Sequence, residues 1–173
     1  MGKFGYRCSE QGLKALDESK LVDYIQELEC DNNPDLDAIP AAVGTCKNLE
    51  KLMANNCSIG TIPVELCAAS SSLTSINLSF NKISEVPAEL SALTALVDID
   101  LSSNLLTSVP DGVLEGWRNL EFLYLSDNKL TSVGSVAPCH KLYELRLNVS
   151  PHLPSSLQMP NVYTLQMLCF ALL

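Results

Sequence analysis

The sequence predicts an α/β solenoid, a stack of short units that each carry one strand, and three observations support that expectation. The spacing L-x-x-L-x-L-x-x-N recurs at Leu73, Ile76, Leu78, Asn81, at Leu96, Ile99, Leu101, Asn104 and at Leu120, Leu123, Leu125, Asn128. Looser copies stand at Ile25, Leu28, Cys30, Asn33, at Leu49, Leu52, Ala54, Cys57 and at Leu142, Leu145, Leu147, Ser150, so that successive units begin 24, 24, 23, 24 and 22 residues apart. A fixed interval of this size marks stacked units rather than one spherical core. Around each central L-x-L the residues alternate, which is the period of a strand with one buried face. A second register, Ile39-Pro40, Ile62-Pro63, Val86-Pro87 and Val109-Pro110, repeats beside the first.

Each part of the unit has its own reason. The inward leucines of one strand lie on those of the next, and full burial of one such side chain is worth roughly 1.5 to 3 kcal/mol. The repeat asparagines can satisfy backbone groups in the bend after each strand, which would otherwise be buried without partners. Cys57 and Ser150 can do so only in part, so their bends are expected to be the weaker ones. Beyond the asparagine, apolar pairs such as Ile83 and Val86, Leu106 and Val109, and Leu130 and Val133 continue the core. The prolines, with φ fixed and no N–H, predict an extended segment or tight turn there rather than a continuous helix.

The ends follow the same offsets less closely. Tyr6, Cys8, Gln11, Leu13 and Leu16 make residues 1–24 a degenerate capping unit, its stretch from Ser9 to Tyr24 suitably polar. Residues 25–161 hold the repeats, and Val162, Leu165 and Met167 begin an incomplete last unit over 162–173 that is apolar and uncapped. An uncapped apolar edge is a liability. Three readings of it stay open: a fragment of a longer protein, a tail that folds back as its own cap, and self-association through the C-terminal edge.

With these motifs the chain resembles the leucine-rich repeat family, in its intracellular form with LxxLxLxxNxLxx(V/I)P units. The resemblance implies a right-handed superhelix with a parallel concave sheet and extended or short helical convex segments. It implies nothing about the partner, because the framework residues are the buried ones. In this frame the exposed concave positions flank the strand leucines. They include Glu27, Glu29 and Asp31; Lys51 and Met53; Ser75, Asn77 and Ser79; Asp98 and Asp100; Phe122 and Tyr124; Glu144, Arg146 and Asn148. Two features stand out: the acidic column Glu27, Glu29, Asp31, Asp98 and Asp100, split by a neutral middle, and the aromatic spot Phe122 with Tyr124. Aromatics beside charge are what interface anchors look like.

Composition narrows the class of function. Of 173 residues 47% are apolar and only 6% aromatic, and the net charge is −9 with eleven basic residues. No Lys/Arg cluster is present to neutralise phosphates, so nucleic-acid binding is not expected. An acidic surface favours basic partners and disfavours anionic membranes, through fields that reach about 10 Å at cellular salt. No run has signal-peptide or membrane-spanning length. Tyr6 stands where a myristoylation motif at Gly2 wants Ser or Thr. Seven cysteines, mostly at repeat positions, read as small buried hydrophobes of a reduced, cytoplasmic chain. Three N-x-S tripeptides arise from the repeat itself.

Catalysis has little to build on. Cys139-His140 is the only adjacent thiol and imidazole, and neighbours on a loop rarely face each other. His140, His152 and the cysteines lack zinc-ligand spacing, and no calcium loop is present, so no metal and no cofactor are expected. The expected function is a non-enzymatic protein-interaction module, a scaffold or recognition domain of the signalling type. Its concave residues Glu27, Glu29, Asp31, Met53, Asp98, Asp100, Phe122, Tyr124 and Arg146 meet a protein with a basic segment. The alternative is a regulatory subunit of an enzyme such as a protein phosphatase.

Overall fold

In the computed structural model, which describes residues 4–147 and the strand at 163–164, one sheet runs the length of the stack. Its strands are β1 (Gly5–Arg7), β2 (Glu27–Glu29), β3 (Lys51–Met53), β4 (Ser75–Asn77) and β5 (Asp98–Asp100), followed by β7 (Phe122–Tyr124), β9 (Glu144–Arg146) and β10 (Tyr163–Thr164). From β1 to β9 every pairing is parallel and in the repeat register, so that Tyr6, Leu28, Leu52, Ile76, Ile99, Leu123 and Leu145 form one inward column. β10 lies antiparallel beside β9. On the far side β6 (Ser108–Val109) pairs with β8 (Ser132–Val133). Ser150, His152 and the apolar tail 165–173 lie outside the described residues.

The asparagines do more than close their own bends. The Asn104 amide donates to the Leu101 and Ser102 carbonyls of its own unit and to Leu78 O of the preceding one, and its Oδ1 accepts from Ile83 N–H at 2.9 Å. Asn81 and Asn128 repeat this pattern, and Asn33 accepts from both Gln11 and Leu13. Each asparagine therefore stitches two units together. Cys57 offers only a thiol, donating to Cys30 O at 3.4 Å and Asn55 O at 3.5 Å. Directly before this position a column of residues holds positive φ: Glu10, Asn32, Asn56, Phe80, Ser103 and Asp127, at 52 to 59°.

The convex segments refine the expectation from proline. Pro40, Pro63, Pro87 and Pro110 are themselves extended, yet each starts a short helix: Ala41–Thr45, Val64–Ala69, Ala88–Ala92 and α1 (Asp111–Gly116). The first three are 3-10 turns. Proline blocks the interior of a helix but suits its beginning, where an N–H has no partner anyway. α1 packs against the 88–92 turn so closely that a Cβ on Gly116 would meet Ser91 O at 1.8 Å. Trp117, which follows it, is fully buried and donates its indole N–H to Leu90 O at 2.8 Å.

At the N-terminal end Leu16 and Leu21 join the core, the Tyr6 hydroxyl accepts from Asp17 N–H, and the Lys20 ammonium sits 5.1 Å from the Tyr6 ring centroid. Replacing Asn104 by Ala leaves four backbone groups of two units without their partner, so thermal and urea unfolding should show a loss of at least about 3 kcal/mol.

Candidate protein-binding surface

Strand alternation puts the predicted residues on one face, and pairing in register arranges them in columns. Glu27, Lys51, Ser75, Asp98, Phe122 and Glu144 form one; Glu29, Met53, Asn77, Asp100, Tyr124 and Arg146 form the next. With strands about 4.8 Å apart, the acids of β2 and β5 are separated by roughly 14 Å. Asp98, Asp100, Phe122, Tyr124 and Arg146 are brought together on three adjacent strands. Glu27, Glu29, Asp31 and Met53 lie apart from them, beyond the small side chains of β4.

The two acidic groups differ in what opposes them. Arg7 on β1 donates from Nη2 to Glu27 and from Nε to Glu29 at 3.1 Å, so the N-terminal part of the column carries its own counter-ion. Asp31 turns back into the bend and accepts from Asn55 N–H at 2.9 Å. At the other end Arg146 pairs with Glu144. Between them, Asp98 and Asp100 form no ion pair with any described lysine or arginine.

Asp98 is half-buried; Ser75 Oγ donates to its Oδ2 at 3.4 Å, while Oδ1 is shut from solvent with no hydrogen-bond partner. Burial pushes its carboxyl above the ordinary 3.8, with Asp100 adding in the same direction and Ser75 opposing. Asp100 accepts from Ser102 N–H at 2.9 Å.

The aromatics form a cluster rather than a pair. Phe122 and Tyr124 are half-buried with ring centroids 6.4 Å apart, and Tyr143 meets Phe122 edge-on at 5.9 Å. Arg146 lies over the Tyr124 ring at 4.8 Å. Tyr143 remains 59% exposed, so the cluster opens toward solvent just before β9.

Tyr143 and Phe80 lie outside the positions that flank the strand leucines, so the repeat frame alone does not single them out. Tyr143 occupies the position filled by Gln26, Glu50, Thr74, Val97 and Glu121 in the other units, and its bulk there was a legible anomaly. Phe80 places a bulky aromatic side chain in the positive-φ column and is 61% exposed. Beside it, Asn56 donates to Asn32 and Asn32 to Glu10, a polar ladder that Phe80 ends. Ser79, expected on the face, is instead buried, its hydroxyl donating to Asn77 Oδ1 at 2.7 Å. Asn148 lies outside the described residues.

Cys139 is buried with its thiol on Leu114 O and its pKa raised by burial, while His140 points outward; the two do not form a nucleophile and base. Among the described residues no cluster of three or more His, Cys, Asp or Glu is placed to hold a metal, and no helix is long and apolar enough to cross a membrane. A hollow of about 450 Å³ lies at the N-terminal end between Phe4, Arg7, Lys20 and Tyr24, away from the aromatic cluster.

A leucine-rich repeat family profile matches residues 47–106 and 94–149. Over 133 residues the chain is 32% identical to the Probable serine/threonine-protein kinase pats1 of Dictyostelium discoideum, covering 72% of this chain and 4% of that protein. Over 87 residues it is 34% identical to pig (Sus scrofa) fibromodulin, covering 50% of this chain and 57% of that protein. The chain thus spans less than two thirds of either relative. Among solved structures, the functional domain of InlJ from Listeria monocytogenes, which includes a cysteine ladder, superposes with a TM-score of 0.64 at 22% identity, over 79% of this chain and 28% of that one. That likeness shows the shared fold.

Two stability effects follow from the geometry. A carboxyl whose folded pKa lies above its unfolded value binds a proton more tightly when folded, so its contribution worsens as pH rises from 3.8 through the raised value. Asp98→Asn should therefore raise the melting temperature at neutral pH, and the gain should shrink in melts below about pH 4. Phe80→Asn, which suits positive φ, should stabilise by about 1 kcal/mol in urea titrations.

Proposed function

Because the chain belongs to the leucine-rich repeat family, we propose that it is a protein-interaction module that grips its partner on the concave strands β5, β7 and β9. Leucine-rich repeat proteins generally act through protein–protein contact, and the finer reading rests on one observation: the Phe122–Tyr124–Tyr143 cluster stands beside two carboxylates with which no described lysine or arginine forms an ion pair. Aromatics supply contact area with little conformational entropy to lose, and carboxylates without a counter-ion favour a basic segment. Glu27, Glu29 and Met53 then form the periphery of the surface rather than its centre.

The chain itself supplies recognition, not catalysis. An open curved sheet gives little desolvation for acid–base work, and burial keeps Cys139 a core thiol. The same reading places the module in the cytoplasm, with buried thiols such as Cys30 acting as small core residues whose pKa burial pushes well up.

Affinity purification of native partners followed by mass spectrometry tests the surface. Changing Phe122 and Tyr124 together to Ala should lower recovery of the principal partner at least about tenfold, while changing Glu27 should have little effect. Undiminished recovery of every partner with the doubly substituted chain would end this reading.

A further inference from the structure

We propose that Asp98 and Asp100, walled on one side by Phe122, form a seat for an arginine side chain of the partner, an inference that rests on the concave-face reading above. The chain displays both halves of such recognition. On β2, Arg7 lies across Glu27 and Glu29, the two concave carboxylates of a single strand. On β9, Arg146 binds Glu144 while lying over the Tyr124 ring.

Asp98 and Asp100 stand at the register positions of Glu27 and Glu29, three strands along, and here no described lysine or arginine forms an ion pair with either; Arg146, held by Glu144, attracts Asp100 only through space. The neighbouring residues match that assignment. On one side Ser75 and Asn77 are short and leave room above the carboxylates; on the other Phe122 is in register with Asp98 and offers a ring to stack on.

The buried Oδ1 of Asp98, without a donor, marks the same spot. Buried acceptors are almost always paired, and χ2 of an aspartate is a soft torsion, so a small rotation turns this oxygen toward an incoming donor. Burial of Asp98 burdens the folded chain, and a cation seated from outside relieves that burden.

Arginine fits better than lysine. Alternate concave positions of one strand lie about 7 Å apart, a span that a planar fork with donors on several edges can bridge. A guanidinium is also weakly hydrated and stacks on aromatic faces, whereas an ammonium is a compact, strongly hydrated charge.

The test is a selection from a displayed library of random peptides against the full chain, repeated with the Asp98→Asn/Asp100→Asn chain and the Phe122→Ala/Tyr124→Ala chain, each checked for folding by circular dichroism and melting. The expected result is a wild-type consensus with one fixed arginine. A synthetic peptide of that consensus should bind about tenfold more weakly when the arginine becomes lysine, and should lose a similar factor with the asparagine variant.

Peptides that depend on Phe122 and Tyr124 but show no arginine preference, or bind the asparagine variant equally, overturn the seat and leave the concave surface standing. Peptides indifferent to both variants, or none recovered, overturn both.

Discussion

Everything in this structure depends on pairing the backbone groups of the bend that follows each strand. The bend folds inward over the core, where water cannot serve its carbonyls and N–H groups, and an asparagine amide supplies donors and an acceptor at one point. Because each amide reaches back into the preceding unit, it sets the offset between units as well as the shape of its own turn. Register then propagates from strand to strand, and an irregular sequence yields straight columns on the exposed face. The framework leucines follow from this: they stack in layers because the bends hold each strand at the same height.

That dependence explains what could be read from the residues and what could not. The strands and their inward positions were legible because period two and the asparagine spacing report them directly. The concave columns were legible for the same reason, down to the neighbours Asp98–Phe122 and Asp100–Tyr124. Contacts that use long side chains across units were not. Nothing in the spacing says that Arg7 reaches both Glu27 and Glu29, twenty or more residues away, so the two parts of an acidic column split by a neutral middle differ in a way the residues did not announce: one is compensated, the other open. The helical turns after proline were expected only as one of two forms, extended or short helical, because the same φ that ends one helix begins another. Trp117 sits where earlier units hold Cys46, Ser70 and Leu93, and only the packed structure shows that its indole closes on Leu90 O.

Net charge proves a coarse guide to where a basic partner would dock. A carboxylate already held by an internal arginine gains little from a second cation, since the new pair forms only as the old one loosens. Glu27 is 12% exposed and held by Arg7; Glu144 is 14% exposed and held by Arg146. Asp98 has comparable neighbours, less solvent than a surface acid and no counter-ion among the described residues, so the gain from an incoming cation is largest there. Local compensation, not the sum of −9, ranks the sites.

Strain points the same way. Phe80 holds a positive φ in a column otherwise filled mostly by residues suited to it, and Asp98 keeps a buried oxygen without a partner. Neither feature helps the fold: an asparagine at either position would satisfy the local geometry better. Both lie within the central units, one on β5 beside Ser75 and one in the bend after β4. Features that burden a repeat framework arise where the framework is free to vary, and these two stand in the two units that precede the aromatic strand β7. A partner segment crossing the sheet from the Phe80 bend toward Tyr143 would meet an apolar side chain, two carboxylates and then three rings, an order of chemistry that suits an extended segment with a basic residue between apolar ones.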